Sequence, residues 1–262
     1  MKKLIKKTIK KTINKLGFDL RRINPKIRQF RFENLYDKIS ENPVIFDVGG
    51  NRGQSIEAYL KIFNNPVIHS FEPVKTDFDL IYEKFKNNKN IFLNNFALGD
   101  KTEAKEFNIT AQTWNSSFNK INSGKDWLKA RTKETNTTEA GPIVKDFYVT
   151  ETQKVKVIRL DDYYKDNNID KIDLLKIDTQ GYEDKVLEGS LNTIKENKIK
   201  AIMTEIIFDD IYDKYFSFSD IEKFIVPNNF RMVGIRLPCD NLFSGKGFGS
   251  DVFYFNKNYY DI

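Results

Sequence analysis

Short apolar runs recur along most of this chain and alternate with amphipathic stretches. Val44–Val48 is a strand-length run broken only by Asp47, and Gln54–Phe63 follows with helical spacing. Val67–Phe71 predicts a second strand, Lys75–Asn87 a helix, Ile91–Asn95 a third strand and Glu103–Ile109 a further one. Residues 110–154 are polar and irregular, with a Thr/Asn/Glu-rich centre (Thr132–Glu139) and Gly141-Pro142, and read as a long insertion that caps the substrate side. The alternation then resumes. Lys154–Arg159 reads as β, Asp161–Asn167 as a short helix, Ile172–Ile177 as a buried strand and Tyr182–Lys195 as a helix. Ala201–Phe208 reads as a strand and Asp220–Pro227 as a helix. Phe230–Arg236 and Asp251–Asn256 form a terminal antiparallel pair around a Gly-rich loop, Gly245 to Gly249. Repeated βα units predict an α/β domain over residues 31–262, with a mostly parallel sheet covered by helices on both faces.

Residues 1–30 stand apart. Ile5, Ile9, Ile13, Leu16 and Leu20 share one helical face, and Lys3, Lys6, Lys7, Lys10, Lys11 and Lys15 fall on the other. Such a helix either lies on an anionic membrane surface or packs its apolar stripe on the globular domain. Charge counting supports the division. The chain has 43 Lys and Arg against 37 Asp and Glu, but residues 1–29 hold eleven of the bases and a single acid, Asp19. The remainder therefore carries 32 basic and 36 acidic residues, a balance that argues against a nucleic-acid-binding face. No apolar run approaches the length of a membrane span, and no apolar stretch follows the basic N-terminus as a secretory signal requires. The single cysteine, Cys239, reads as an inert thiol, precludes an internal disulfide or cysteine zinc site, and fits a reducing cytoplasmic setting.

In an open α/β sheet, ligands collect at the carboxyl ends of the strands. The first strand ends in Asp47 and runs into a turn with the spacing Asp-x-Gly-x-Asn-x-Gly: Asp47, Gly49, Asn51 and Gly53. Glycines there let backbone N–H groups approach a nucleotide-like ligand, and Asn51 is of a type that tolerates positive φ. Glu72 closes the second strand, where an acid can accept both ribose hydroxyls of an adenosine. Asn95 to Asp100 follow the third strand, Asp178 follows the fourth, and Glu205 lies near the outer end of the next. His69 reads as a packed strand residue. Trp114 to Phe118, at the opening of the insertion, are either a plain turn or a cap whose hydroxyl and amide groups suit a polyol.

Five blocks, FDVGGNRGQS (46–55), SFEP (70–73), NNFALGD (94–100), IRLDDY (158–163) and LLKIDTQGYEDKVLEG (174–189), occur in order. In these blocks the sequence resembles the FkbM family of S-adenosylmethionine-dependent methyltransferases over roughly residues 43–256. The resemblance implies a class I Rossmann-like fold, a seven-stranded sheet with an antiparallel last strand. It implies S-adenosylmethionine as cofactor, with Asp47, Gly49, Asn51, Gly53 and Ser55 around its methionine and ribose portions. Glu72 then serves the ribose, and Asn95 to Ala97 lie beside the adenine. Asp178 falls near the sulfonium and the acceptor, where it fixes the cofactor's amino group, orients the acceptor hydroxyl or acts as base. Gln180 stands where many relatives carry Glu, so no acid is available at that position.

Methyl transfer to oxygen needs in-line positioning and removal of the acceptor proton. Asp178, Glu183 and Glu205 are the candidate bases, although an acid at the position of Glu183 also suits a helix N-terminus. Asp178 has no second Asp or Asn close by in sequence, so no catalytic metal is expected. The resemblance points to O-methylation of a sugar hydroxyl in a surface glycan or glycolipid precursor, and the basic amphipathic terminus suits a cytoplasmic enzyme peripheral at the inner membrane face. The alternatives are methylation of a small natural product and a non-catalytic nucleotide-binding module with a membrane- or partner-binding tail. Nucleic-acid methylation is disfavoured, because the loop after the fourth strand is Asp178-Thr179-Gln180-Gly181 and not an Asn-Pro-Pro-Tyr type.

Overall fold

The structure is a computed structural model that describes residues 31–122, 149–207, 211–214, 217–236 and 249–261. The basic helix expected over residues 1–20, the centre of the 110–154 insertion and Cys239 lie outside these residues. The chain divides into two compact units, Met1–Asn34 and Leu35–Ile262. In the first, Asn34 Oδ1 accepts the N–H of Arg31 at 2.9 Å.

Strands β1 (Val44–Val48), β2 (Val67–Phe71) and β3 (Ile91–Asn94) run parallel in one direction across the sheet. The intervening helices are α1 (Gln54–Ile62) and α2 (Lys75–Phe85). The chain then returns to the other side of β1 with β7 (Leu174–Ile177) and β8 (Ala201–Ile207), both parallel. Strands β9 (Phe230–Arg236) and β10 (Gly249–Asn256) complete a seven-stranded sheet of order β3-β2-β1-β7-β8-β10-β9, in which β10 is antiparallel to both neighbours. The reversal of strand order between β1 and β7 opens a crevice at their carboxyl ends. The central strands read as near-continuous apolar runs because both faces are covered. Phe46, Val48, Leu175 and Ile177 pack into the larger core with Val186, Leu187 and Tyr254. Tyr36 meets Tyr59, Phe63 and Phe253 edge-on, with ring centroids 5.7–6.2 Å away.

A second sheet, β4-β6-β5, stands beside the first and is built from β4 (Ala97–Leu98), β5 (Glu103–Thr110) and β6 (Val149–Ile158). Strand β6 begins five residues earlier than the apolar pattern predicts. Its first four residues are all exposed, so no buried face marks them, and the backbone ladder to β5 forms the strand instead. The helix expected over Tyr182–Lys195 is two, α4 (Glu183–Glu188) and α5 (Leu191–Lys195), preceded by α3 (Leu160–Asp166). The break falls at Gly189, where a Cβ would lie 1.9 Å from the carbonyl oxygen of Gly99. Two backbones meet there too closely for any side chain. Helix α6 (Phe218–Ile225) starts two residues before its predicted position, because Asp220 reaches back to accept the N–H of Ser217 at 3.0 Å. Among the described residues no helix is long and apolar enough to cross a membrane.

Candidate active site

The crevice at the switch point holds a cavity of about 270 Å³, close to the lower end of small-molecule pockets. Its wall takes Gly49 and Asn51 from the turn after β1, Glu72 from the end of β2, Ala97 from β4, Asp178 and Gln180 from the turn after β7, and Glu205 from β8. Thr113 to Ser116, Phe118 and Tyr182 also line it. Five strand ends distant in sequence thus converge on one space. Of the candidate residues, Gly49, Asn51, Glu72, Ala97, Asp178 and Glu205 face it, whereas Asp47, Gly53, Ser55, Asn95 and Glu183 do not line it.

The turn after β1 is organised inward. Gly49 (φ +85°) has its missing Cβ occupied by the carbonyl oxygen of Asp178, only 1.9 Å from where that carbon would be. The glycine therefore serves the packing of one strand-end turn against another as well as the approach of a ligand. The N–H groups of Gly49 and Gly50 both donate to Phe71 O at 3.0 Å, and that of Gly53 donates to Gly50 O at 2.9 Å. Asn51 adopts the left-handed conformation its type permits (φ 44°) and donates its N–H to Glu72 Oε2 at 2.8 Å. These donors are spent within the protein. A pyrophosphate requires free N–H groups at such a turn. A nucleoside without phosphates does not.

Glu72 is buried and accepts two backbone donors, Asn51 N–H and, at 2.7 Å, Val74 N–H. Each oxygen keeps a second lone-pair direction for a ribose hydroxyl. Burial raises its carboxyl to about 8, against those two hydrogen bonds. Asn95 supports the position from behind, donating to Glu72 O at 2.9 Å and Pro73 O at 3.3 Å.

Beneath the floor lies an ion network that sequence reasoning missed. Lys176 is opposite Asp47 in the β1–β7 register. Its ammonium lies 3.3 Å from Asp47 Oδ1 and 3.4 Å from Asp178 Oδ2, and donates to Gly49 O at 2.9 Å. Asp47 has no solvent exposure, and burial pushes its carboxyl up while Lys176 pulls it down. Burial alone lowers the Lys176 ammonium, but the two carboxylates outweigh it and keep the group charged. A lysine in an otherwise apolar buried strand was the available signal, since a charge there requires a partner.

Gln180 is the second missed residue. Its backbone is left-handed (φ 55°) beside Gly181 (φ 88°), which turns the side chain back across the site. Its Nε2 donates to Asp178 Oδ1 at 3.0 Å and Glu205 Oε2 at 2.8 Å, and its Oε1 accepts from Tyr212 at 3.0 Å. The amide holds two carboxylates side by side. Glu205 is raised well above the ordinary glutamate value by withdrawal from water, then by the charges of Asp178, Glu183 and Asp251. Glu183 Oε1 takes the N–H and hydroxyl of Thr179 (2.8 and 3.0 Å) and the N–H of Gly181 (3.3 Å), which orders the turn itself. Burial pushes Glu183 up to about 7. His69 is packed on Phe92 with Nδ1 2.8 Å from the Tyr163 hydroxyl, away from the cavity wall, and burial lowers it to about 4. No group of three or more His, Cys, Asp or Glu side chains suited to a metal ion occurs among the described residues.

A doubly wound sheet with its last strand inserted antiparallel, and its ligand crevice at the β1/β7 switch, defines a class I methyltransferase. The family described as the methyltransferase FkbM domain matches residues 47–232, and the chain belongs to it. No curated protein sequence matches the chain significantly. Solved structures similar in fold include Aeropyrum pernix fibrillarin with natively bound S-adenosyl-L-methionine (9% identity, 83% of this chain and 67% of that one, TM-score 0.43). An rRNA methylase from Streptococcus thermophilus (6%, 86% and 92%, 0.42) and precorrin-6y C5,15-methyltransferase from Geobacter metallireducens (10%, 89% and 91%, 0.39) are also similar.

S-adenosylmethionine is the cofactor of this methyltransferase, and the residues present fit it. Glu72 offers ribose acceptors, the spent turn suits a phosphate-free nucleoside, and Glu72, Asp178 and Glu205 suit a ligand that carries a sulfonium and an ammonium.

Proposed function

We propose that the chain transfers the methyl group to a hydroxyl oxygen of a sugar in a glycan or glycolipid precursor. The observation that carries this reading is the charge of the cavity wall. Among the described residues it contains three carboxylates and no Lys or Arg. Such a wall favours a cationic donor, whose sulfonium and ammonium draw the raised Glu72 and Glu205 carboxyls toward their ionised forms. It disfavours a nucleic-acid backbone, which binds through cationic side chains. Bound S-adenosylmethionine supplies a methyl group already activated on sulfur. The protein positions the acceptor hydroxyl and removes its proton. Glu205 accepts that proton as the oxygen forms its bond to the methyl carbon and the sulfur–carbon bond breaks, its electron pair remaining on sulfur. Asp178, beside it on the Gln180 amide, orients the acceptor or the cofactor's amino group.

Titration calorimetry tests the cofactor side of the reading. S-adenosylmethionine and S-adenosylhomocysteine bind and NAD does not, and Glu72→Gln weakens binding about tenfold through one charged hydrogen-bond acceptor lost. Affinity climbs with pH toward 8, because ribose hydroxyls donate to the ionised form of Glu72 and its carboxyl titrates near that value. Binding of NAD, with no binding of either sulfur nucleotide, rejects the reading.

We place the enzyme at the cytoplasmic face of a membrane, on the strength of the lysine-rich amphipathic pattern of residues 1–20. The full chain is expected to cosediment with phosphatidylglycerol vesicles. A chain lacking residues 1–20 is expected to lose that binding and keep its affinity for S-adenosylhomocysteine. Unchanged cosedimentation of the truncated chain removes the membrane role.

A further inference from the structure

Part of the cavity wall is a strap, Thr113 to Phe118, that follows the end of β5 and doubles back on it. It is firmly anchored. Asn108 and Ser117 exchange backbone hydrogen bonds at 2.9 and 3.1 Å, and Ser117 Oγ donates to Gln180 O at 2.6 Å. Asn119 Nδ2 donates to Gly181 O, and the Tyr212 hydroxyl donates to Asn115 O at 3.0 Å. Phe118 packs between Phe107 and Tyr182, with centroids 4.8 and 4.4 Å away. Asn115, Ser116 and Ser117 are 5%, 6% and 1% exposed.

One residue on this strap departs from the pattern. Trp114, at the tip of the short 3-10 turn Thr113–Asn115, is 48% exposed although both its C-terminal neighbours are buried, and it lines the cavity. A large aromatic on a rigid segment, held half bare at a cavity wall, contributes little to the core. It offers a flat apolar face with a polar indole edge. Beside it, Thr113 Oγ1 is buried without a hydrogen-bond partner, a cost of about 1–3 kcal/mol unless a ligand supplies one. Lys105, which packs on Phe118 and Tyr182 of this wall, is engaged by the Tyr182 hydroxyl at 2.9 Å and sits over the two rings at 5.1 and 4.6 Å.

We infer that this strap is the acceptor seat, with Trp114 as the platform for the apolar C–H face of a neutral pyranose ring. The inference rests on the glycan reading above and narrows it. A ring stacked on the indole presents its equatorial hydroxyls sideways, toward Thr113 and toward the Asp178–Gln180–Glu205 row, whose turn anchors the strap. A uronate or sugar phosphate would bring a negative charge against Glu72, Asp178 and Glu205 with no described cation in the wall to receive it.

The test uses the full chain, S-adenosylmethionine and methyl pyranosides of glucose, galactose, mannose and rhamnose, beside methyl glucuronide and glucose 1-phosphate, with S-adenosylhomocysteine release as readout. At least one neutral pyranoside is methylated, and both anionic probes are turned over more slowly. Trp114→Ala raises the KM for that pyranoside about tenfold, the worth of one aromatic platform. Its affinity for S-adenosylhomocysteine stays within about twofold of the unaltered chain, and Trp114→Phe recovers part of the KM. An unchanged KM in Trp114→Ala, a loss of S-adenosylhomocysteine binding instead, or a preference for the glucuronide or the phosphate overturns the inference while leaving sugar methylation standing. Methylation of none of the sugars rejects the glycan reading and this seat with it.

Discussion

Replacing Lys176 with methionine is expected to lower the melting temperature by about 6–20 °C. Removing one partner of a buried ion pair costs about 3–5 kcal/mol, and each kcal/mol moves the midpoint of a domain this size by about 2–4 °C. The cost arises at Asp47. With no exposure, its only other side-chain partner shown is the Ser70 hydroxyl at 3.3 Å, so loss of the ammonium leaves a carboxylate in a dry interior. The double substitution Asp47→Asn with Lys176→Met removes both charges and is expected to recover at least half of the lost stability. Melting curves of the two single variants and the double variant close a cycle that isolates the pair. A double variant no more stable than Lys176→Met would show that the lysine acts through packing alone. Recovery of stability is not recovery of function. The same ammonium holds Gly49 O and Asp178, so the stable double variant is still expected to bind S-adenosylmethionine more weakly than the unaltered chain.

That pair shows where the chain was legible and where it was not. The βα alternation, the turn from Asp47 to Gly53 and the acid at Glu72 are local features, carried by periods and spacings within a few residues. Asp47 and Lys176 are 129 positions apart and become neighbours only through the β1–β7 register, which follows from the strand order and not from either strand alone. The role of Gln180 depends on a positive φ and on Tyr212, a residue in no motif. Side chains reading simply as candidate acids were separated by their hydrogen bonds. Glu183 turns inward to order its own turn, and Asp47 lies under the floor, while Glu205 faces the cavity. The early start of β6 escaped because its first residues have no buried face. The break at Gly189 was written in the sequence as a glycine, but its reason, the backbone of Gly99, was 90 residues away.

Glu205→Gln is expected to reduce kcat by about 10²–10⁴-fold, the usual worth of a general base. Asp178 shares its charge with the Lys176 ammonium and the Gln180 amide, and Glu183 directs its carboxylate into three donors of its own turn. Glu205 faces the cavity with a carboxyl held well above its ordinary value by lost hydration and like charges. Only the ionised form accepts a proton, so kcat/KM of the unaltered enzyme rises with pH along a limb above the ordinary glutamate value of 4.5. Glu205→Gln flattens that limb. Gln180→Leu shifts it to higher pH, because the amide N–H at 2.8 Å favours the carboxylate form. Glu183→Gln lowers the melting temperature and moves the limb to lower pH, because one of the like charges that raise Glu205 is gone. A Glu205→Gln enzyme retaining more than about a tenth of its turnover would transfer the role elsewhere. A limb abolished by Asp178→Asn, and untouched by Glu205→Gln, would assign the proton to Asp178.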